Sequence, residues 1–186
     1  TPENFPICLP DLKTKRSTYM LSKIYGEAMC FHRDIPSIIL RPHNIYGPRM
    51  GMSHVIPELL LKFKQAERNT SLKINSLDHQ RAFCYIDDAV NMMIELMNNF
   101  DKTPGTEVFN IGNDTEEVSI RKLTEILLKI VGRDDIKILT DIDTTGSPSR
   151  RCPDMSKTTS ISGVSPAINI FEGCNKTWEW YRKSNL

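Results

Sequence analysis

Apolar residues recur at helical spacing in several stretches of the chain, and short apolar runs lie between them. Leu21, Ile24, Ala28 and Phe31 mark one face of a helix expected to run from a Ser17 or Thr18 cap to about residue 33. The run PSIILRP follows and is closed by Pro42. Its length and β-branched content predict a strand buried on both faces, as in a parallel sheet. Pro57 suits the first turn of a helix over 57–66, and SLKINS is a weaker strand candidate. Asp87 or Asp88 can cap a helix through residue 98, with Val90, Met93, Ile94 and Met97 on one side. EVFNIG and IKILT read as strands. Between them Ser119 caps the clearest helix, with Ile120, Leu123, Ile126, Leu127 and Ile130 apolar and Gly132 as its C-cap. A last helix covers about residues 168–183 despite Gly173 inside it, with Trp178 and Tyr181 read as packing. Residues 1–16, with Pro2, Pro6 and Pro10, and residues 141–160 read as irregular. Strands alternating with helices place the chain in the α/β class.

Composition narrows the function classes. The 186 residues carry 24 Lys+Arg and 23 Asp+Glu, a formal net charge of +1, so there is no electrostatic reason to expect nucleic acid or an anionic membrane as partner. No apolar run is long enough to span a bilayer, and the N-terminal stretch lacks an apolar signal core. The five cysteines are widely spaced with no C-x-x-C, which argues against a disulfide framework or structural zinc and for a reducing cytoplasm. The four histidines show no metal-ligand spacing, so no metal is expected. No Walker loop or serine-hydrolase elbow occurs.

Four motifs bring polar chemistry. Tyr19 and Lys23 lie four residues apart on a predicted helix, so phenol and ammonium share one face; a nearby cation stabilises phenolate and suits the tyrosine to proton exchange with a hydroxyl. Taken alone, the pair reads better as a surface lysine beside a half-buried tyrosine. LRPHNIYGPRM leaves the first strand carrying Pro42, His43 and Asn44, where parallel α/β sheets bind ligands. QRAFCYIDD offers Arg81, a planar fork for phosphate or carboxylate, ahead of two acids of which at least one is expected to cap. SRRCPDMSK carries Arg150 and Arg151, able to clamp a diphosphate, although the motif alone reads better as a solvated basic turn.

The order and spacing of TYMLSKIYGE, LRPHNIYGPRM, QRAFCYIDDAV, EVFNIGN, SRRCPDMSK and EGCNKTWEWYRK resemble the C-terminal part of the extended short-chain dehydrogenase/reductase family, in its nucleotide-sugar epimerase/dehydratase branch. The resemblance runs from about Pro10 to Leu186. It implies a Rossmann-like doubly wound parallel sheet whose C-terminal remainder spans residues 1–50. Residues 51–186 would then be mainly a small mixed α/β substrate-binding region, with some segments returning to the first. It implies NAD or NADP as redox partner, a nucleoside-diphosphate sugar as substrate, and a homodimer formed through the tyrosine helix and its neighbour. Tyr19 would be the acid/base, with Lys23 on the nicotinamide ribose and Pro42, His43 and Asn44 beside the nicotinamide. Asn44, Arg81 and one of Arg150 and Arg151 would meet the diphosphate. Family members open with a strand, a G-x-x-G-x-x-G turn and a helix. No such turn occurs here, and the Ser or Thr that assists the tyrosine falls outside these residues. The chain is therefore expected to be part of a longer enzyme and inactive alone. An NADPH-dependent keto-sugar reductase of the same fold, or a binding module without turnover, stands as the alternative.

Overall fold

A computed structural model describes residues 1–8, 11–102, 105–141 and 148–184. Helix α1 (Lys15–Phe31) begins ahead of the expected caps, after an extended Thr14. The Ser17 hydroxyl does not cap; it donates to the Asp11 carbonyl at 2.7 Å. The inward face is also rotated from the expected one. Met20, Ile24, Glu27 and Cys30 are partly buried, whereas Leu21, Ala28 and Phe31 are exposed. The cause is polar: Arg41 of strand β1 (Ile38–Pro42) donates to both Glu27 carboxylate oxygens at 2.8 and 2.6 Å, and this fork holds the Glu27 side of α1 against the strand.

β1 pairs in parallel with β6 (Glu107–Ile111), Ile38 opposite Glu107 and Pro42 opposite Ile111. Within β1 only Ile39 is fully buried, so the expectation of burial on both faces does not hold. Among the described residues β1 has one strand neighbour, and helix α3 (Ile86–Asn98) packs against this pair. Met92 and Leu96 of α3, Phe109 and Ile111 of β6, and Met155 form the core there, with Ile38 and Leu40 against it. α3 also reverses its expected face: Val90, Ile94 and Met97 are exposed, while Asp88, Ala89, Met92 and Leu96 are buried. Asp88 fixes that rotation by accepting the Ile168 amide at 2.9 Å. Neither Asp87 nor Asp88 caps; the helix follows an extended Tyr85, and both acids lie in the first turn, where they complement its dipole.

A second and larger core joins α2 (Val55–Gln65), α4 (Ile120–Val131) and α6 (Ile170–Lys183) through Ile56, Leu60, Phe63, Leu123, Leu127 and Cys174. Here the sequence pattern reads directly. Pro57 lies in the first turn of α2, Ser119 accepts the Lys122 amide at 3.0 Å, and Gly132 ends α4 in the left-handed conformation at φ 72°. Strands β3 (Ser71–Ile74) and β8 (Lys137–Thr140) pair in parallel. β2 (Ile45–Tyr46) pairs in parallel with β5 (Cys84–Tyr85). β4 (Gln80–Ala82) lies between antiparallel β7 (Glu117–Ser119) and parallel β9 (Arg150–Arg151). These two- and three-residue strands carry no readable period, and α5 (Ser156–Ser162) lies in a stretch expected to be irregular.

Gly173 stands inside α6 because aromatic rings press against its backbone. A Cβ there would overlap the Tyr46 hydroxyl and lie 2.9 Å from Tyr85 Cδ2. Gly173→Ala should therefore destabilise the fold by about 1–3 kcal/mol, despite the better helix propensity of alanine. Denaturant midpoints check this; an unchanged or raised midpoint would mean that the rings yield freely.

Candidate active site

In the parallel register of β4 and β9, Arg81 lies opposite Arg151. Both line a cavity of about 580 Å³, closed on other sides by the start of α2 and the end of β3. That volume is in the range of small-ligand sites. Arg81 is 9% exposed, and its guanidinium is held on several sides. Nη1 donates to the Gln80 carbonyl at 2.6 Å and the Ser149 carbonyl at 3.3 Å. Nη2 donates to the Pro148 carbonyl at 2.8 Å and to His79 Nδ1 at 3.4 Å. Burial, and secondly the Arg151 charge, lower its pKa from the ordinary arginine value. It does not pair with Asp87 or Asp88; it fixes the chain leading into β9. Arg150, the neighbour of Arg151, points elsewhere and forms an exposed ion pair with Glu117 at 2.9 Å. Strand alternation separates the two side chains, so the cavity takes Arg151.

Asn44 completes the wall. It has left-handed backbone (φ 45°), a conformation asparagine tolerates, and this turns the chain out of β1. Its Nδ2 donates to the Ala82 carbonyl at 2.9 Å, which ties it to the Arg81 strand. Ser53, His54 and Val55 bring the N-terminus of α2 to the same cavity, where the helix dipole favours an anion. No sequence motif marks this contribution, although Pro57 lies in the first turn of the helix. Glu58 and Lys62 of α2 and Lys73 of β3 line the cavity as well. They went unnoticed because only the pairing of distant segments assembles them.

The other expected residues stand apart from this cavity lining. Pro42 is exposed at the end of β1. His43 donates its backbone amide to the Ile111 carbonyl at 2.8 Å, and its Nε2 meets Asn110 Oδ1 at 2.9 Å. Burial lowers the His43 pKa from 6.5, against the opposing bond to Asn110. The unfolded chain therefore takes up a proton before the folded one does. His43 contributes stability that is complete above about pH 6.5 and is lost as pH falls from there toward its lower folded value. Acid titrations followed by circular dichroism should show a flatter stability profile for His43→Gln below pH 6.5; an identical slope would remove His43 from that dependence. Tyr19 and Lys23 share one exposed face of α1, Tyr19 being 60% exposed, with the Lys23 ammonium 5.3 Å from the Tyr19 ring centre. The structure thus brings Asn44, Arg81 and Arg151 together and keeps Tyr19 and Lys23 as a separate pair.

Residues 7–112 match the model of the NAD dependent epimerase/dehydratase family. The chain belongs to this family. Among its relatives, UDP-glucuronic acid decarboxylase 1 of Xenopus tropicalis is 31% identical over 175 residues, covering 90% of this chain and 39% of the relative. GDP-L-fucose synthase 1 of Arabidopsis thaliana is 29% identical over 184 residues, covering 93% and 55%. The fold matches that of UDP-glucuronic acid 4-epimerase from Bacillus cereus, solved with UDP-glucuronic acid and NAD, with a TM-score of 0.78 at 24% identity over 96% of this chain and 57% of that one. The chain spans about half the length of the curated relatives it matches. The epimerase/dehydratase match runs from α1 through β6 and so spans parts of both cores.

Tyr19 and Lys23 offer a phenol and an ammonium from one open helix face, donors that suit a ribose diol. The sequence contains no G-x-x-G-x-x-G turn for the pyrophosphate. Among the described residues, no group of three or more His, Cys, Asp or Glu side chains could hold a metal ion, and no helix is long and apolar enough to cross a membrane.

Proposed function

We propose that this chain is the substrate-binding part of an NAD(P)-dependent enzyme that acts on a nucleoside-diphosphate sugar by epimerisation, dehydration or decarboxylation. The observation that carries the reading is the convergence of Asn44, Arg81, Arg151 and the α2 N-terminus on one cavity. Two guanidinium groups side by side, next to the positive end of the α2 dipole, suit two linked phosphates. Relatives and solved neighbours named for UDP-, GDP- and dTDP-sugars support the same substrate class.

Residues 1–50 belong, in this reading, to the dinucleotide-binding domain, and most of residues 51–186 to the substrate-binding region. The two separate cores support that division, with β6 and α3 returning to β1. Tyr19 exchanges a proton with the sugar hydroxyl, and Lys23 stabilises its phenolate and holds the ribose. Pro42, His43 and Asn44 border the nicotinamide. A bound NAD supplies the hydride acceptor. A homodimer forms through α1, whose outward Leu21, Tyr25 and Met29 give it an apolar contact surface; Met29→Glu would then shift sedimentation toward the monomer. Five free thiols support a cytoplasmic setting.

Calorimetric titration with a nucleoside, its monophosphate and its diphosphate tests the site. Affinity should rise with each phosphate and fall by about 10-fold or more in Arg151→Ala. Equal affinity across the three ligands would overturn the diphosphate assignment.

A further inference from the structure

The cavity carries polar side chains besides Asn44 and the arginines. Lys62 donates its ammonium to the Lys73 carbonyl at 2.9 Å, which fixes it against the end of β3. Glu58 stands one turn before it on α2, so carboxylate and ammonium lie on one face of the helix and line the same cavity. Asn44 is bonded to the Arg81 strand, and Arg81 lies beside Arg151. With the diphosphate held by the arginines, Glu58 and Lys62 offer an acceptor and a donor in the same cavity to the base of the nucleotide.

We infer that the Glu58 and Lys62 pair is built for guanine, so that the substrate is a GDP-sugar; the inference rests on the diphosphate reading above. A carboxylate is an acceptor at both oxygens, and an ammonium only donates. Guanine presents N1–H and the 2-amino group as adjacent donors, with the O6 acceptor next in line. Two donors meet the two Glu58 oxygens, and O6 meets the remaining protons of Lys62. Uracil and thymine present a single N3–H between two carbonyl oxygens, so one Glu58 oxygen would face a lone pair. Adenine presents one donor beside a ring-nitrogen acceptor, with the same conflict. A charged pair of this kind discriminates by leaving the wrong base with unmatched polar groups.

The enzyme that carries this chain, titrated calorimetrically with GDP, UDP, dTDP and ADP, decides this. GDP should bind at least about 10-fold tighter than the other three. Glu58→Gln replaces one acceptor oxygen with a donor, so it should remove most of that preference while changing UDP affinity by less than about 3-fold. Glu58 is exposed, so the variant keeps the fold, which its melting curve verifies. UDP binding as tight as GDP, or a GDP preference that survives Glu58→Gln, overturns the guanine assignment and leaves the diphosphate site standing. Failure of all four diphosphates to bind overturns both.

Discussion

Tyr19→Phe is expected to lower turnover by about 10² or more in the enzyme that carries this chain, the usual scale of positioned acid–base catalysis. Substrate affinity should change far less, because Tyr19 lies outside the cavity lined by Asn44, Arg81 and Arg151. The substitution removes only the hydroxyl, at a side chain that is 60% exposed, so stability should be unaffected. Steady-state rates and substrate dissociation constants, measured together, separate these effects. A rate within a few-fold of the wild type would remove Tyr19 from the chemistry. A large rise in KM with intact kcat would instead make it a binding residue.

Arg81→Ala should have two consequences, because the guanidinium has two employments. It faces the cavity, and it also ties the Pro148 and Ser149 carbonyls to β4. Loss of a charge-assisted contact should raise KM by about 10- to 100-fold, and releasing those carbonyls should cost about 1–3 kcal/mol of stability. Arg81→Lys should rescue little, because a single ammonium cannot reproduce a planar fork that serves several acceptors. Arg151→Ala should raise KM without a comparable loss of stability. If Arg81→Ala weakens stability and leaves KM unchanged, Arg81 is a structural residue and the diphosphate contact belongs to Arg151 alone.

Elements with a long period were legible in the chain. α4, with its Ser119 cap and Gly132 terminus, and the strands at 38–42, 71–74, 107–111 and 137–140 follow from apolar spacing and turn residues. The rotation of α1 and α3 was not, because single polar contacts set it: Arg41 with Glu27, and Asp88 with the Ile168 amide. Hydrophobic spacing ranks the faces of a helix without knowing which acid finds a partner 80 residues away. The tightest part of the site, β4 against β9, is two residues wide in its parallel register and has no pattern of its own. Arg81 and Arg151 were recognisable as candidates by chemistry, and only the register separates Arg151 from Arg150. Glu58, Lys62 and Lys73 carry no sequence signal because they belong to two elements, and their common cavity exists only after folding.

The most direct measurement is a crystal structure of the enzyme with a nucleoside-diphosphate sugar bound. The account predicts both phosphates within hydrogen-bond distance of Arg81, Arg151 and the first amides of α2, with the sugar ring extending past Asn44 toward Tyr19. A diphosphate bound away from Arg81 and Arg151, or a sugar directed away from Tyr19, would contradict it.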